Sequence, residues 1–267
     1  MKFDLDDLTR LEQIISNASD EILTPFINNT TAQRKSDGSI VTEADIQMQN
    51  TLHKELANFA PEVTLLGEEM EASAQQRIID SSDAYWCLDP LDGTNNFHHG
   101  VPLFSVSVAL VSEQKIKAGL VYDPVRKEMF SALAGHGLRI NGVAHEKSEQ
   151  PQRLGDCLAS VDFKRLEVFR REHLVRHTPF KSQRNAGSCA LEWAWLAAGR
   201  LQLLLHGGEK LWDYAAGVLL NAEAGGISCG FARESIFNNS LESRPVLAAS
   251  TATLHSAWAD FLLSDPN

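Results

Sequence analysis

The apolar residues at the beginning of the chain follow a helical period. They recur at steps of three and four over residues 5–28, which predicts an amphipathic helix. A polar stretch from Asn28 to Ser39 comes next. Thr42 is then well placed to cap a second helix, whose predicted apolar face consists of Ala44, Met48, Leu52, Leu56 and Phe59.

Strand patterns fill the middle of the chain. The apolar run from Ala84 to Leu88 is stopped by Asp, Pro and Gly, which predicts a strand that delivers a loop. Residues 105–111 alternate small polar residues with Val and Leu, as a strand does. Two more strands are predicted over residues 116–122 and 127–132, and Asn141-Gly142 is typical of a hairpin turn.

The second half of the chain mixes both kinds of element. Helices are predicted over residues 188–198, about 214–224 and 254–263, and strands over 201–205 and 245–249. No repeat or linker interrupts the pattern. We therefore expect residues 1–267 to form one layered unit of the α+β or α/β class, with approximate halves at 1–145 and 146–267.

Composition and charge narrow the classes of function. The chain has 267 residues, 43% of them hydrophobic, and a formal net charge of −11, as in ordinary globular proteins. The negative charge disfavours a nucleic acid polymer or an anionic membrane as partner. No basic leader or long apolar run occurs, and the four cysteines form no CxxC pair, so we expect a soluble cytoplasmic protein.

Acidic residues stand at the ends of several predicted elements. Glu68 (with Glu69) follows an apolar run, Asp89 and Asp92 flank the end of a strand, and Asp213 begins a helix. Hard cations such as Mg²⁺ prefer oxygen ligands. If these ends converge, the four carboxylates form a metal site, with Asp89 as the best candidate to bridge two ions. The turn after Pro90 would add the Leu91 carbonyl as a ligand.

The residues after these acids favour phosphate chemistry. Gly93-Thr94-Asn95 is typical of the beginning of a short helix, where backbone N–H groups can hold a phosphate. The Thr94 hydroxyl could orient an attacking water, and Asp45 could accept the hydroxyl proton.

Each acidic residue also has a purely structural interpretation. Asp213 can be a helix N-cap, and Asp45 can be the partner of the Thr42 cap in a first helical turn. Glu68-Glu69 can be a solvated pair, and Asp92-Gly93 a simple turn. Spacing alone does not show that these acids meet. Packing or surface roles are predicted for His98, His99, His206, Trp193 and Trp195.

Taken together, the motifs resemble those of the inositol monophosphatase family of metal-dependent phosphomonoesterases. The resemblance spans nearly the whole chain, and its most specific block is Asp-Pro-Leu-Asp-Gly-Thr at residues 89–94. The remaining matches, in family order, are Lys35-Ser36-Asp37-Gly38, Val41-Thr42-Glu43-Ala44-Asp45, Gly67-Glu68-Glu69, Gly187-Ser188, Trp212-Asp213-Tyr214-Ala215-Ala216-Gly217 and Glu223-Ala224-Gly225-Gly226.

The resemblance implies a layered αβαβα sandwich, a homodimer, sensitivity to Li⁺, and two or three Mg²⁺ ions for each subunit. It implies one ion on Glu68, Asp89 and the Leu91 carbonyl, and a second on Asp89, Asp92 and Asp213. A weaker third would bind Glu68 and waters. It further implies that Thr94 and Asp45 activate water, with Glu68 in the catalytic set. The implied substrate contacts are Gly93, Thr94, Asn95, Gly187, Ser188, His206 and Asp213.

One position departs from the family pattern. Inositol-preferring members often carry an acid seven residues before the aspartate of the Trp-Asp block, and His206 stands there instead. The expected substrate is a small phosphorylated metabolite: inositol monophosphate, a related polyol or sugar phosphate, fructose 1,6-bisphosphate or a nucleotide 3′-phosphate. The competing hypotheses are a non-catalytic regulatory member and a metal-dependent phosphodiesterase, which would need a basic groove.

Overall fold

The computed structural model describes residues 3–26, 32–34 and 40–263. The predicted polar stretch over 28–39, with its Lys35–Gly38 motif, therefore lies largely outside the described residues. The helices are α1 (Leu5–Phe26), α2 (Glu43–Phe59), α3 (Ala72–Ser81), α4 (Thr94–His98), α5 (Val168–Arg176), α6 (Cys189–Ala197), α7 (Leu211–Glu223) and α8 (Ala252–Leu263).

Most strands belong to two large sheets, and β1 (Ala32–Arg34) pairs only with β2 (Ile40–Thr42) among the described strands. The first large sheet contains β3 (Thr64–Gly67), β4 (Ala84–Asp92), β5 (Ser105–Ser112), β6 (Lys115–Asp123), β7 (Glu128–Leu133), β8 (Leu138–Ile140) and β9 (Val143–Ala144). The second contains β10 (Leu158–Val161), β11 (Ser182–Arg184), β12 (Leu203–Glu209), β13 (Ile227–Cys229) and β14 (Arg244–Ala249).

The first sheet follows chain order from β3 to β9. Only the β3–β4 pair is parallel, and every later pair is antiparallel. The turn predicted at Asn141-Gly142 joins β8 to β9 as a hairpin. The second sheet has the order β11-β10-β12-β14-β13, with β10 parallel to both of its neighbours.

The helices cover and separate the sheets in layers. Strand β4 is buried on both faces: Trp86 and Leu88 pack with α1 and α2, whereas Tyr85 and Cys87 pack with α6 and α7. Helices α6 and α7 also contact the second sheet, whose far side packs against α8 and Leu174 of α5. The order helix, sheet, helix, sheet, helix confirms the expected αβαβα sandwich.

The predicted helices and strands are confirmed with shifted ends. Helix α7 begins at Leu211, before the predicted start near residue 214, so Asp213 lies inside its first turn. Strand β12 spans Leu203–Glu209 and carries four residues past the predicted end at residue 205. The core interpretation of Trp193 is confirmed, since its side chain is fully buried, and half-buried Trp195 packs against the same cluster.

The two large sheets occupy separate stretches of the chain. The first lies within residues 64–144 and the second within 158–249. The division into halves at residue 145 stays a prediction. Among the described residues, no helix combines the length and the apolar character that a membrane crossing requires.

Candidate metal centre

Three carboxylates converge where β4 ends and α7 begins. Asp89, Asp92 and Asp213 each place a carboxylate oxygen within 4.8 Å of the other two. We call these three residues the carboxylate cluster. Asp89 is 2% exposed and Asp92 is 8% exposed. The sequence expectation that these distant acids meet is therefore confirmed for these three residues.

A β-bulge brings Asp89 and Asp92 to the same face of the sheet. Residues three apart on a regular strand point to opposite faces. Asp89 lies opposite Ser107, whereas Asp92 lies opposite Ser105, so β4 contains one extra residue here. Pro90, which has no N–H to donate, stands inside the bulge, and the Leu91 N–H donates to Asp89 Oδ1 at 3.0 Å.

The third acid arrives from a helix that is tied to the same sheet. Ser107 Oγ on β5 donates to the Trp212 carbonyl at 3.1 Å, which fixes the first turn of α7 beside the bulge. The Lys210 N–H donates to Asp213 Oδ2 at 2.8 Å. Asp213 is thus the third residue of the helix and supports the cap from within, so its interpretation as the N-cap itself is wrong.

Burial and mutual repulsion raise the pKa values of the three carboxyl groups in the cluster. Burial, followed by the charges of Glu68, Asp92 and Asp213, raises the pKa of Asp89 well above its ordinary value. Burial also raises the pKa of Asp92 to about 6 and that of Asp213 well above the usual range. An oxygen-only donor set whose charges repel one another suits a hard divalent cation, so these residues fit Mg²⁺.

Hydrogen bonds orient Asp92 within the cluster. Its Oδ2 accepts from Ser188 Oγ at 2.5 Å and from the Ala190 N–H at 2.8 Å. Ser188 Oγ lies 3.1 Å from Ser105 Oγ on β5. Ser188, which is predicted to contact substrate, therefore donates its hydroxyl to Asp92, a candidate metal ligand.

The remaining predicted ligands line the same cavity, which has a volume of about 260 Å³. Glu68 is half-buried, and its N–H donates to the Leu88 carbonyl beside the bulge. The cavity is lined by Ile40, Glu68, Asp89, Leu91, Asp92, Gly93, Thr94, Asn95, Arg165, Gly187, Cys189, His206, Gly208, Lys210, Trp212 and Asp213.

Thr94 and Asp45 form a hydrogen-bonded pair at the edge of this cavity. Thr94 Oγ1 lies 2.9 Å from Asp45 Oδ1 and 3.1 Å from the Leu91 carbonyl oxygen. The other oxygen of Asp45 accepts from the Thr42 N–H and hydroxyl. Asp45 therefore serves as partner of the Thr42 cap and also reaches Thr94. Burial raises the pKa of Asp45 above its ordinary value.

Gly93 turns the chain from β4 into the short helix α4. Its φ of +93° lies in the left-handed region that favours glycine. A Cβ at this position would stand 3.0 Å from the Leu103 carbonyl oxygen, so the space also excludes a side chain. Gly93, Thr94 and Asn95 follow the carboxylate cluster directly and line its cavity.

His206 lies in the cavity wall with both ring nitrogens engaged. Its Nδ1 accepts from the Gly208 N–H at 3.1 Å, and its Nε2 lies 3.2 Å from Asp162 Oδ2. The predicted packing role agrees with its exposure of only 6%. The contact of His206 with a substrate hydroxyl stays a prediction, and it would have to replace or share one of these two contacts.

Two buried carboxylates and two cations near the cluster were not predicted from the sequence. Glu192 accepts from the Ala186 N–H, and burial raises its pKa to about 7. Glu209 accepts from Trp193 Nε1 at 2.8 Å, and burial raises its pKa well above normal. A lone Glu within the apolar helix α6 was a usable signal for Glu192. Arg165 and Lys210, which line the cavity, carried no local signal.

Comparisons with known proteins identify chains of similar sequence and fold. The model of the inositol monophosphatase family matches residues 4–264. The Nus factor SuhB of Pasteurella multocida (strain Pm70) is 34% identical over 201 residues, which cover 74% of each chain.

Two relatives from Thermotoga maritima are also similar. A protein named fructose-1,6-bisphosphatase/inositol-1-monophosphatase is 34% identical over 214 residues, covering 76% of this chain and 78% of that protein. The solved structure of an IMPase from this organism superposes with a TM-score of 0.83 at 28% identity, covering 96% of each chain.

Proposed function

The chain belongs to the inositol monophosphatase family, and from this premise we propose that it hydrolyses small phosphate monoesters with bound Mg²⁺. The observation that carries the proposal is the convergence of Asp89, Asp92 and Asp213 beside the Thr94–Asp45 pair. Three carboxylates whose oxygens lie within 4.8 Å of one another can bind a metal ion. The Thr94 hydroxyl beside them, oriented by Asp45, can hold a water molecule.

We assign the ligands as the family resemblance implies. Glu68, Asp89 and the Leu91 carbonyl would hold one ion, and Asp89, Asp92 and Asp213 would hold a second. Glu68 with waters would hold a weaker third. Bound Mg²⁺ supplies a Lewis acid that polarises the phosphate and favours ionisation of water. The raised pKa values of the cluster support this assignment, because a cation relieves the repulsion that raises them.

The protein residues orient the attacking water and take its proton. Thr94 Oγ1 donates to Asp45 Oδ1, which leaves the lone pairs of Thr94 Oγ1 available to accept from a water O–H in the cavity that Thr94 lines. As the water oxygen bonds to phosphorus and the ester P–O bond breaks, the water proton passes to Thr94 Oγ1 while the threonine proton passes to Asp45. The departing alkoxide takes a proton from solvent and leaves as the alcohol. The raised pKa of Asp45 makes that carboxylate a better proton acceptor. The backbone N–H groups of Gly93 and Thr94 hold the phosphate oxygens.

Three properties complete the proposal: a homodimer, inhibition by Li⁺ and a cytoplasmic location. The dimer predicts an elution mass near twice the 29.4 kDa of one chain in size-exclusion chromatography with light scattering. We also propose that the partners are small phosphorylated metabolites rather than a nucleic acid polymer or a membrane, on the ground of the net charge of −11.

Phosphate release tests the reaction. The panel contains inositol 1-phosphate, fructose 1,6-bisphosphate, a 3′,5′-bisphosphate nucleotide, an aryl phosphate and a diester, each with Mg²⁺, with EDTA and with added Li⁺. Release from monoesters that requires Mg²⁺ and falls with Li⁺ is the expected result. Equal rates on the diester would indicate a phosphodiesterase.

The second candidate function is that of a regulatory protein without catalysis. The name of the SuhB relative, a Nus factor, is the observation that favours it. This candidate predicts that Mg²⁺ binds in calorimetry while no ester releases phosphate. The expected result separates the two, because the catalytic proposal requires turnover that Asp92→Asn abolishes in a folded protein.

A further inference from the structure

Asp92 is oriented by a distant segment of the chain, whereas local N–H groups contact Asp89 and Asp213. Ser188 Oγ and the Ala190 N–H both donate to Asp92 Oδ2. Ser188 is the N-cap residue of α6, but its side chain forms no capping hydrogen bond within its own helix. Asp92 therefore acts as the cap of α6 from another element, and the beginning of α6 sets the direction of this candidate ligand.

The turn at residues 186–188 decides where the donors to Asp92 lie. Gly187 has a φ of +71°, in the left-handed region, and Ser188 then returns to extended backbone with a φ of −136°. The turn packs directly on Gly93, because a Cβ added to Gly93 would stand 3.2 Å from Ser188 Cβ and 3.3 Å from the Gly187 carbonyl oxygen. A turn that contains glycine has little intrinsic preference for one conformation, so contacts with neighbouring residues must hold it.

Ala186, the first residue of this turn, is held by both of its backbone groups. Glu192 Oε1 accepts from the Ala186 N–H, and Asn96 Nδ2 donates to the Ala186 carbonyl oxygen at 2.7 Å. Asn96 Nδ2 also donates to the Leu103 carbonyl oxygen at 2.6 Å, so both hydrogens of the side-chain amide are used. The turn is therefore tied to α4 through Asn96 and to α6 through Glu192.

Glu192 is a buried carboxylate that lies outside the cavity lining. It is the fourth residue of α6, it is 8% exposed, and its side chain reaches back to the turn before the helix. Burying a carboxylate costs free energy, which burying an apolar side chain at this place would not. An apolar side chain would, however, leave the buried Ala186 N–H without its acceptor. The contribution of Glu192 is therefore to the geometry of the turn rather than to packing.

We propose that Glu192 and Asn96 are positioning residues for Mg²⁺ binding, which fix this turn and, through Ser188 and Ala190, the direction of Asp92. The inference rests on the metal site of the proposed function and adds to it two residues that do not touch the ion. Hydrogen-bond partners behind a metal ligand restrict its rotation, and their loss weakens metal binding by about 10- to 100-fold. Without Glu192 or Asn96 the turn gains freedom, Asp92 loses its fixed donors, and binding of the ion must order both.

Isothermal titration calorimetry with Mg²⁺ tests the inference without relying on turnover. The binding step that Asp92→Asn weakens identifies the ion that Asp92 holds, and Glu192→Ala should raise the Kd of that step about tenfold or more. Glu192→Gln keeps a side-chain oxygen for the Ala186 N–H and should stay within about threefold of the wild-type protein. Glu12→Ala is the matched control, because Glu12 is also buried, accepts from Ser131 Oγ and lies outside the cavity lining. The Kd of this control should be unchanged.

A double-mutant cycle tests whether the two residues act through the same turn. Asn96→Ala should raise the Kd of the same binding step about tenfold. The double variant Asn96→Ala/Glu192→Ala should raise it by clearly less than the product of the two single effects, because the second contact contributes little once the turn is free. Thermal melts in EDTA establish that each variant folds, and Asn96→Ala with Glu192→Gln keeps the inference testable if Glu192→Ala does not.

The calorimetric results separate the inference from the proposed function. A Kd for Glu192→Ala within about twofold of wild type overturns the inference, and so does an equal rise in Glu12→Ala, since that indicates general destabilisation. A rise in Glu192→Gln as large as that in Glu192→Ala also overturns it, because the charge and not the hydrogen bond would then be responsible. Independent effects of Asn96→Ala and Glu192→Ala overturn the shared turn.

Phosphate release provides the other half of the comparison. If Mg²⁺ binding changes as expected while no ester releases phosphate, the proposed function fails and the inference stands. If the wild-type protein releases phosphate and Glu192→Ala binds Mg²⁺ as wild type does, the inference fails and the proposed function stands. A wild-type protein that binds no Mg²⁺ overturns both.

Discussion

Replacing Asp92 by Asn should stabilise the metal-free protein at neutral and alkaline pH. Burial raises the pKa of Asp92 from 3.8 to about 6, so ionising this carboxylate costs more in the folded state than in the unfolded chain. Each tenfold change in an ionisation constant corresponds to about 1.4 kcal/mol, so the cost is about 3 kcal/mol. Asn carries no charge, and its carbonyl oxygen can still accept from Ser188 Oγ and the Ala190 N–H.

The pH dependence follows from the direction in which burial moves this pKa. Because the folded pKa is raised, the folded protein holds the Asp92 proton to higher pH than the unfolded chain does. The free energy of unfolding of the wild-type protein therefore falls as pH rises from about 4 through about 6, and the Asp92 contribution is constant above that. At pH 4 only the carboxyl of the unfolded chain is still partly ionised, so the difference between the two proteins should be small, and it should disappear well below the unfolded pKa of 3.8.

Urea denaturation in EDTA at pH 4 and pH 8 measures the effect. Asp92→Asn should be more stable than wild type by about 3 kcal/mol at pH 8 and by no more than about 0.5 kcal/mol at pH 4. Asp80→Asn, on the exposed side of α3, is the matched control and should change neither value. Mg²⁺ should reverse the order at pH 8, since only the intact cluster binds it tightly. A variant less stable than wild type in EDTA at pH 8 would refute the reasoning.

Three further substitutions probe other contacts. Thr94→Val removes the hydroxyl that donates to Asp45 and should lower kcat for phosphate release by about 100-fold or more, with Thr94→Ser retaining most activity. Trp193→Phe leaves the buried Glu209 Oε2 without its donor and should lower the free energy of unfolding in urea by about 2–3 kcal/mol. Gly207→Ala must displace the Arg165 carbonyl, because a Cβ there would stand 1.8 Å from that oxygen, so the Tm should fall in thermal melts.

The sequence predicted elements best where periodicity ran uninterrupted. Helix α1 and strands β5 to β7 were found because their apolar residues recur at a single period. The end of β12 was missed because Gly207, Gly208 and Glu209 are poor strand residues outside their tertiary context. Glu209 can be buried at the end of β12 because its carboxylate accepts a hydrogen bond from the indole N–H of Trp193, which lies on α6.

The candidate site was predictable in its residue types and not in its cross-connections. Asp89 and Asp92 are neighbours in sequence, so their joint role could be read from one motif. The pairing of Asp162 with His206 joins distant parts of the chain, because Asp162 follows β10 and His206 lies on the parallel neighbour β12. No local pattern in one sequence carries that information, since it depends on which strands become neighbours.

The extra residue in β4 makes the site sensitive to chain length in a way that side-chain chemistry does not reveal. Asp89 and Asp92 are three residues apart and share a face of the sheet only because β4 has one more residue than β5 over this stretch. Removing one residue between Asp89 and Asp92 would give a regular ladder in which the two aspartates still lie opposite Ser107 and Ser105. The bulge itself would be lost, and with it the hydrogen bond from the Leu91 N–H to Asp89 Oδ1. The number of residues between the two acids is therefore under a constraint separate from the identity of the acids, because it preserves the bulge that holds Leu91 beside Asp89.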